Sequence, residues 1–164
     1  MLKNKQFLKK LILIITSAII LTLSVSACGA NKSKTAEISV SQVIDKVKQS
    51  ADISQMKEGD AEKLKKLYGI DSSKLSEFAL YTASSNIKAD ELLVIKVKDT
   101  KDIEDIKSRI SDRIEKQSQS FKDYLPDEYS LIEKHVLKDS GEFILFDISK
   151  DSDKVEDSFN AIVQ

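Results

Sequence analysis

Apolar and polar positions change their rhythm several times along this chain. An uncharged, largely apolar run from Leu11 to Ala27 comes first, preceded by Lys3, Lys5, Lys9 and Lys10. Helical spacing follows at Val40, Val43, Ile44 and Val47, where Ser39 and Gln42 have the spacing of a capping box. A second short helix is predicted after Gly59-Asp60, with Leu64, Leu67 and Tyr68 on one face and Gly69 as its stop. Alternation then takes over: Leu75 to Ala83 and Glu91 to Lys98 read as strands around the turn residues Ser84-Ser85-Asn86. Ile103, Ile106, Ile110, Ile114 and Phe121 predict one long helix on a sheet, ended by Pro126, with Asp127 and Glu128 opening a short turn or helix. Leu131 to Leu137 and Glu142 to Ser149 read as a strand pair across Lys138-Asp139-Ser140-Gly141. Val155, Phe159, Ile162 and Val163 predict a closing helix, with Asp153 and Glu156 at capping-box spacing.

The second half echoes the first. Glu91-Leu-Leu-Val-Ile-Lys-Val aligns without a gap on Glu142-Phe-Ile-Leu-Phe-Asp-Ile. The expected fold is α+β: a four-stranded, mainly antiparallel sheet from two β-β-α units, with two helices on one face and short N-terminal helices. Either a duplication or convergent β-β-α grammar would produce the echo. The alignment assigns faces: Leu93, Ile95 and Val97, with Ile144, Phe146 and Ile148, should meet the helices. The alternate positions Leu92, Val94, Phe143 and Leu145 are apolar too, whereas a half-exposed sheet alternates apolar with polar. Something must cover that second face. The two N-terminal helices would do so; so would an envelope protein partner, self-association or an apolar ligand. If uncovered, these four residues with Tyr81 and Tyr124 form an expected interaction surface.

The chain start changes the picture most. Lysines, an apolar core and small residues before a cut are the anatomy of a secretory signal. Val25-Ser26-Ala27-Cys28 adds the only cysteine immediately after that cut. The motif resembles the bacterial lipobox, in which the signal peptidase recognises positions here occupied by Val25, Ser26 and Ala27. The resemblance implies that Cys28 takes a diacylglyceryl thioether and becomes the mature N-terminus. Two acyl chains hold a protein stably at a membrane where one does not. Leu11 to Ala27 is also, at 17 residues, at the short end of what spans a bilayer uncleaved. The expected organisation is a signal peptide over 1–27, a flexible tether over 28–37 and a single extracytoplasmic domain over 38–164.

Charge and composition exclude more than they assign. Removing residues 1–27 leaves 22 basic residues against all 27 acids, a net charge of −5. An acidic surface argues against nucleic acid as a partner. One histidine and one lipid-committed cysteine remove the usual zinc and copper ligand sets, and no cofactor is implied. Asp151-Ser152-Asp153 begins like a calcium loop, but Val155 takes a ligand position and no glycine follows; helix capping is the simpler reading. Four glycines leave little room for a phosphate loop, and no nucleophile motif appears.

The lipobox VSAC, the run QSFKDYLPDEYSLIEKHVL and then GEFILFDIS resemble a family of lipoproteins from Gram-positive, clostridium-like bacteria. Their C-terminal part is a domain of unknown function. That resemblance implies no activity and no catalytic residues. The function expected from these residues is a membrane-anchored, non-catalytic interaction or accessory module at the cell envelope, or else a peptide- or glycan-binding lipoprotein.

Overall fold

The computed structural model of the chain describes residues 38–164. Val25, Ser26, Ala27, the lipidation site Cys28 and the tether lie outside the described residues.

Ten elements follow one another: α1 (Val40–Ser50), β1 (Met56–Gly59), α2 (Ala61–Tyr68), β2 (Leu75–Ala83), β3 (Glu91–Val97), α3 (Ile103–Phe121), α4 (Pro126–Glu133), β4 (Val136–Ser140), β5 (Phe143–Ile148) and α5 (Ser152–Val163). Local chemistry explains most of the boundaries. Ser39 and Gln42 form the full capping box of α1, and Asp60 accepts from the Lys63 amide to start α2. Gly69 ends α2 in the left-handed region at φ 68°, a conformation glycine adopts without a Cβ penalty.

The sheet corrects the expected fold. It has five strands in the order β1-β2-β3-β5-β4, each neighbouring pair antiparallel. The added strand is β1, whose Met56 to Gly59 pair with Ala83 to Leu80. Its sequence, MKEG, has two charges and no apolar alternation; the edge of β2 recruits it. Gly59 permits the close approach, since a Cβ there would lie 2.8 Å from the buried Leu80 side chain.

A second correction concerns residues 131–137. Leu131 and Ile132 belong to α4, which Pro126 starts at its first position, and β4 begins only at Val136. The β4–β5 hairpin is correspondingly tight: Ser140 pairs with Phe143 around Gly141-Glu142, and Gly141 takes φ 58°.

The third correction is the face of the closing helix. Leu80, Leu93, Ile95, Val97, Ile144, Phe146 and Ile148 pack with α2, α3 and α4 in one core. Leu92, Val94, Phe143 and Leu145 pack with Val40, Val43, Ile44 and Val47 of α1 and with Val155 and Phe159 of α5 in the other. The sheet therefore lies between two helical layers, and α5 does not join α3 on one face. Units related by duplication across the antiparallel β3–β5 pair would carry their helices on the same face. The strands keep a two-fold register about the Val94–Leu145 pair, while the helices that follow them take opposite faces.

Candidate functional site

The four apolar residues of the expected interaction surface are core. Leu92, Val94 and Leu145 are fully buried and Phe143 nearly so, beneath α1 and α5. The cover is one N-terminal helix and the closing helix, because α2 packs on the opposite face. Tyr81 is half-buried in that same layer, with Lys48 Nζ 5.6 Å from its ring centroid. Tyr124 follows α3 and is 83% exposed. The structure therefore does not bring the six residues together into one surface.

What it does bring together is a polar cluster on the first face. Glu91 opens β3 and is 1% exposed, beside a core of isoleucines and leucines. A carboxylate there is tolerated only if its oxygens are bonded. Arg113 of α3 donates Nε to Oε1 at 3.2 Å and Nη2 to Oε2 at 2.7 Å, a two-pronged pair. Gln117, one turn further, donates Nε2 to Oε2 at 2.9 Å, and the Tyr68 hydroxyl of α2 donates to Oε1. Burial, and then the Glu91 carboxylate, push the Tyr68 hydroxyl well above its ordinary value, so it keeps its proton. Burial works against the charge on Arg113, but Glu91 more than offsets it and holds the guanidinium above its ordinary value. Near neutral pH both are fixed hydrogen-bond donors rather than groups that exchange protons.

Above this cluster opens a cleft of about 430 Å³, lined among others by Lys63, Thr82, Asn86, Arg113, Gln117 and Phe121. The Lys63 ammonium donates to Thr82 Oγ1 at 2.6 Å and, among the described residues, pairs with no carboxylate. Gln117 Oε1 is buried with no partner. The rim is held in place from α4: Glu128, itself buried, accepts from Lys88 Nζ at 2.5 Å and from the Ala89 amide at 2.9 Å. That contact raises the Lys88 ammonium above its ordinary value. Beside it, burial and then Glu128 raise the Asp90 carboxyl. Larger openings of about 550 and 470 Å³ flank Tyr81, but neither is lined by a buried polar atom without a partner.

The periodicity offered one signal for this cluster that the apolar stripe hid. The stripe of α3 skips from Ile114 to Phe121, and Gln117 fills that gap on the buried side. Glu91 stands at the head of a strand that is apolar from Leu92 to Ile95. Lys63 and Tyr68 could not be placed near either without the sheet.

The calcium-loop candidate resolves as a helix start. Ser152 begins α5, and Asp151 precedes it with its carboxylate on Lys154 rather than in a calcium loop. His135 lies between α4 and β4, its Nδ1 2.7 Å from the Ile132 carbonyl, so that nitrogen carries the proton. Among the described residues, no group of three or more His, Cys, Asp or Glu could hold a metal ion. No helix among them is long and apolar enough to cross a membrane.

No curated protein and no solved structure matches the chain. A domain of unknown function, DUF4358, matches residues 49–149, which contain all five strands with α2, α3 and α4, the whole of the Glu91 cluster, and little of the α1–α5 layer. The chain belongs to the DUF4358 family.

Proposed function

We propose that this protein is a lipoprotein anchored through Cys28 at the extracytoplasmic face of the membrane, where its domain binds a small polar ligand without transforming it. The lipobox and signal anatomy of residues 1–28 support the anchor. The observation that carries the binding reading is the open cleft over the Glu91–Arg113–Gln117 cluster, with Lys63 unpaired by any acid among the described residues. A concave site with a few convergent polar groups on rigid elements is what small-ligand sites require. An apolar docking face on the sheet is no longer needed, because α1 and α5 cover it.

The test is a thermal melt of the intact chain in mild detergent against one ligand class at a time: peptides, amino sugars, then small carboxylic acids. A ligand at a hundred times its dissociation constant adds about 2.7 kcal/mol, a rise of several degrees. A rise with one class that Lys63→Ala abolishes supports the reading. No rise with any class contradicts it.

A further inference from the structure

The two exposed large hydrophobic side chains of the described residues are Ile87, 58% exposed, and Tyr124, 83% exposed. They stand on segments that border the same cleft. Ile87 sits between the lining residues Asn86 and Lys88, and Tyr124 lies one turn beyond the lining residue Phe121. Those segments are tied together, since Glu128 of α4 holds both Lys88 and the Ala89 amide. Ile87 and Tyr124 thus adjoin residues that line an opening whose floor is polar.

The charge of that floor has a sign. Glu91 is occupied by Arg113, Gln117 and Tyr68. Arg113 spends Nε and Nη2 on Glu91 and also meets the Tyr68 hydroxyl, which leaves part of its five-donor edge over. Lys63 has only the Thr82 hydroxyl. Of the charged side chains that line the cleft, Lys63, Lys88 and Arg113 outnumber Asp90 and Glu91 by one, so the cleft carries a positive balance in a domain that is acidic overall. Gln117 Oε1 supplies the complementary acceptor.

We propose that the cleft receives an acidic peptide segment. A side-chain or terminal carboxylate meets Lys63 and the free edge of Arg113, a peptide N–H meets Gln117 Oε1, and flanking apolar side chains meet Ile87 and Tyr124. This rests on the binding reading of the cleft. A sugar would satisfy the polar groups but would leave the two rim hydrophobics without a role. A free carboxylic acid would not reach them.

Amide shifts of the 15N-labelled intact chain in lipid bicelles test this with three probes. One is a blocked tripeptide with a central glutamate between leucine and tyrosine; the second replaces glutamate by glutamine; the third is N-acetylglucosamine. The glutamate peptide is expected to move the amides of Lys63, Thr82, Ile87 and Tyr124. The glutamine peptide should bind about tenfold more weakly or worse, as for loss of a charge-assisted bond. Lys63→Gln and Ile87→Ser, both outside the cores, should each weaken the glutamate peptide while leaving the spectrum otherwise folded. Equal binding of both peptides, or shifts by N-acetylglucosamine alone, would overturn the acidic-peptide assignment and leave ligand binding standing. No shift at the cleft from any probe would overturn both.

Discussion

Ser152 Oγ donates to the Asp147 carboxylate across 2.7 Å and joins the end of β5 to the first turn of α5. Ser149 Oγ donates to the same Oδ2 at 2.8 Å. Asp147 alternates with Phe146 and Ile148, so it points to the second face together with Leu145 and Phe143. The latch therefore delivers α5 to that face, where the Ser50 and Ser158 hydroxyls, 2.6 Å apart, tie it to α1. The matching position in the first unit is Lys96, whose Nζ reaches the Ile38 carbonyl at 3.1 Å and steadies the approach to α1.

The latch makes stability depend on pH. Burial, only partly relieved by the two serine hydroxyls, raises the Asp147 carboxyl from 3.8 to about 6, and Oδ1 has no partner. The folded protein thus holds this proton more tightly than the unfolded chain. Its contribution is full below the ordinary carboxylate value and is lost as pH rises through about 6. The loss is about 3 kcal/mol, at roughly 1.4 kcal/mol for each tenfold change in proton affinity. Urea midpoints at pH 5 and pH 7.5 should show the acid side more stable, and Asp147→Asn should flatten the difference. A midpoint that rises with pH across this window contradicts the burial of an unrelieved carboxylate here.

Arg113→Leu leaves the Glu91 carboxylate buried without its cation. Gln117 and Tyr68 still donate to it, but the charge is uncompensated, and a loss of about 3 kcal/mol is expected. The double change Glu91→Gln with Arg113→Leu should recover part of that loss. Chemical denaturation of the four proteins in a double-mutant cycle measures it, and additive losses would show that the pair is not coupled.

Gly59→Ala tests the close approach of β1. A Cβ would sit 2.8 Å from Leu80 Cδ2, and Leu80 is wholly buried, so it has nowhere to retreat. The expected cost is about 1–3 kcal/mol, as for overpacking elsewhere. Hydrogen exchange should show the amides of β1 losing protection before those of β3.

Cys28→Ala removes the acceptor of the proposed lipid. The variant should no longer take up a radiolabelled fatty acid that marks the parent, while its far-ultraviolet circular dichroism stays that of the parent, since the packed domain begins at Ile38. A parent protein found with residues 1–27 still attached and no label would show an uncleaved anchor instead.

Legibility followed the strength of local chemistry. The capping box at Ser39, the stop at Gly69, the long α3 stripe and the inward set from Leu93 to Ile148 could all be read from spacing, and the structure places them so. Three things could not. The strand MKEG has no pattern of its own and exists because β2 offers an open edge. Leu131-Ile132 is apolar enough for a strand, but Pro126 has already set a helix running through it. The side of the sheet taken by α5 shows only in the packing of Val155 and Phe159 against Leu92, Val94, Phe143 and Leu145, which the spacing within α5 does not encode. The cleft was hidden for a related reason. Its groups come from α2, β2, β3 and α3, so only the tertiary packing collects Lys63, Tyr68, Thr82, Glu91, Arg113 and Gln117.

The most direct measurement is photo-crosslinking of the intact chain in its own membrane, with probes at the exposed cleft residues Asn86 and Ser120 and a control at exposed Lys46 on α1. Mass spectrometry should find one recurring adduct from both cleft probes and none from the control. Adducts from Lys46 alone, or only links within the chain from all three positions, would contradict a ligand site at this cleft.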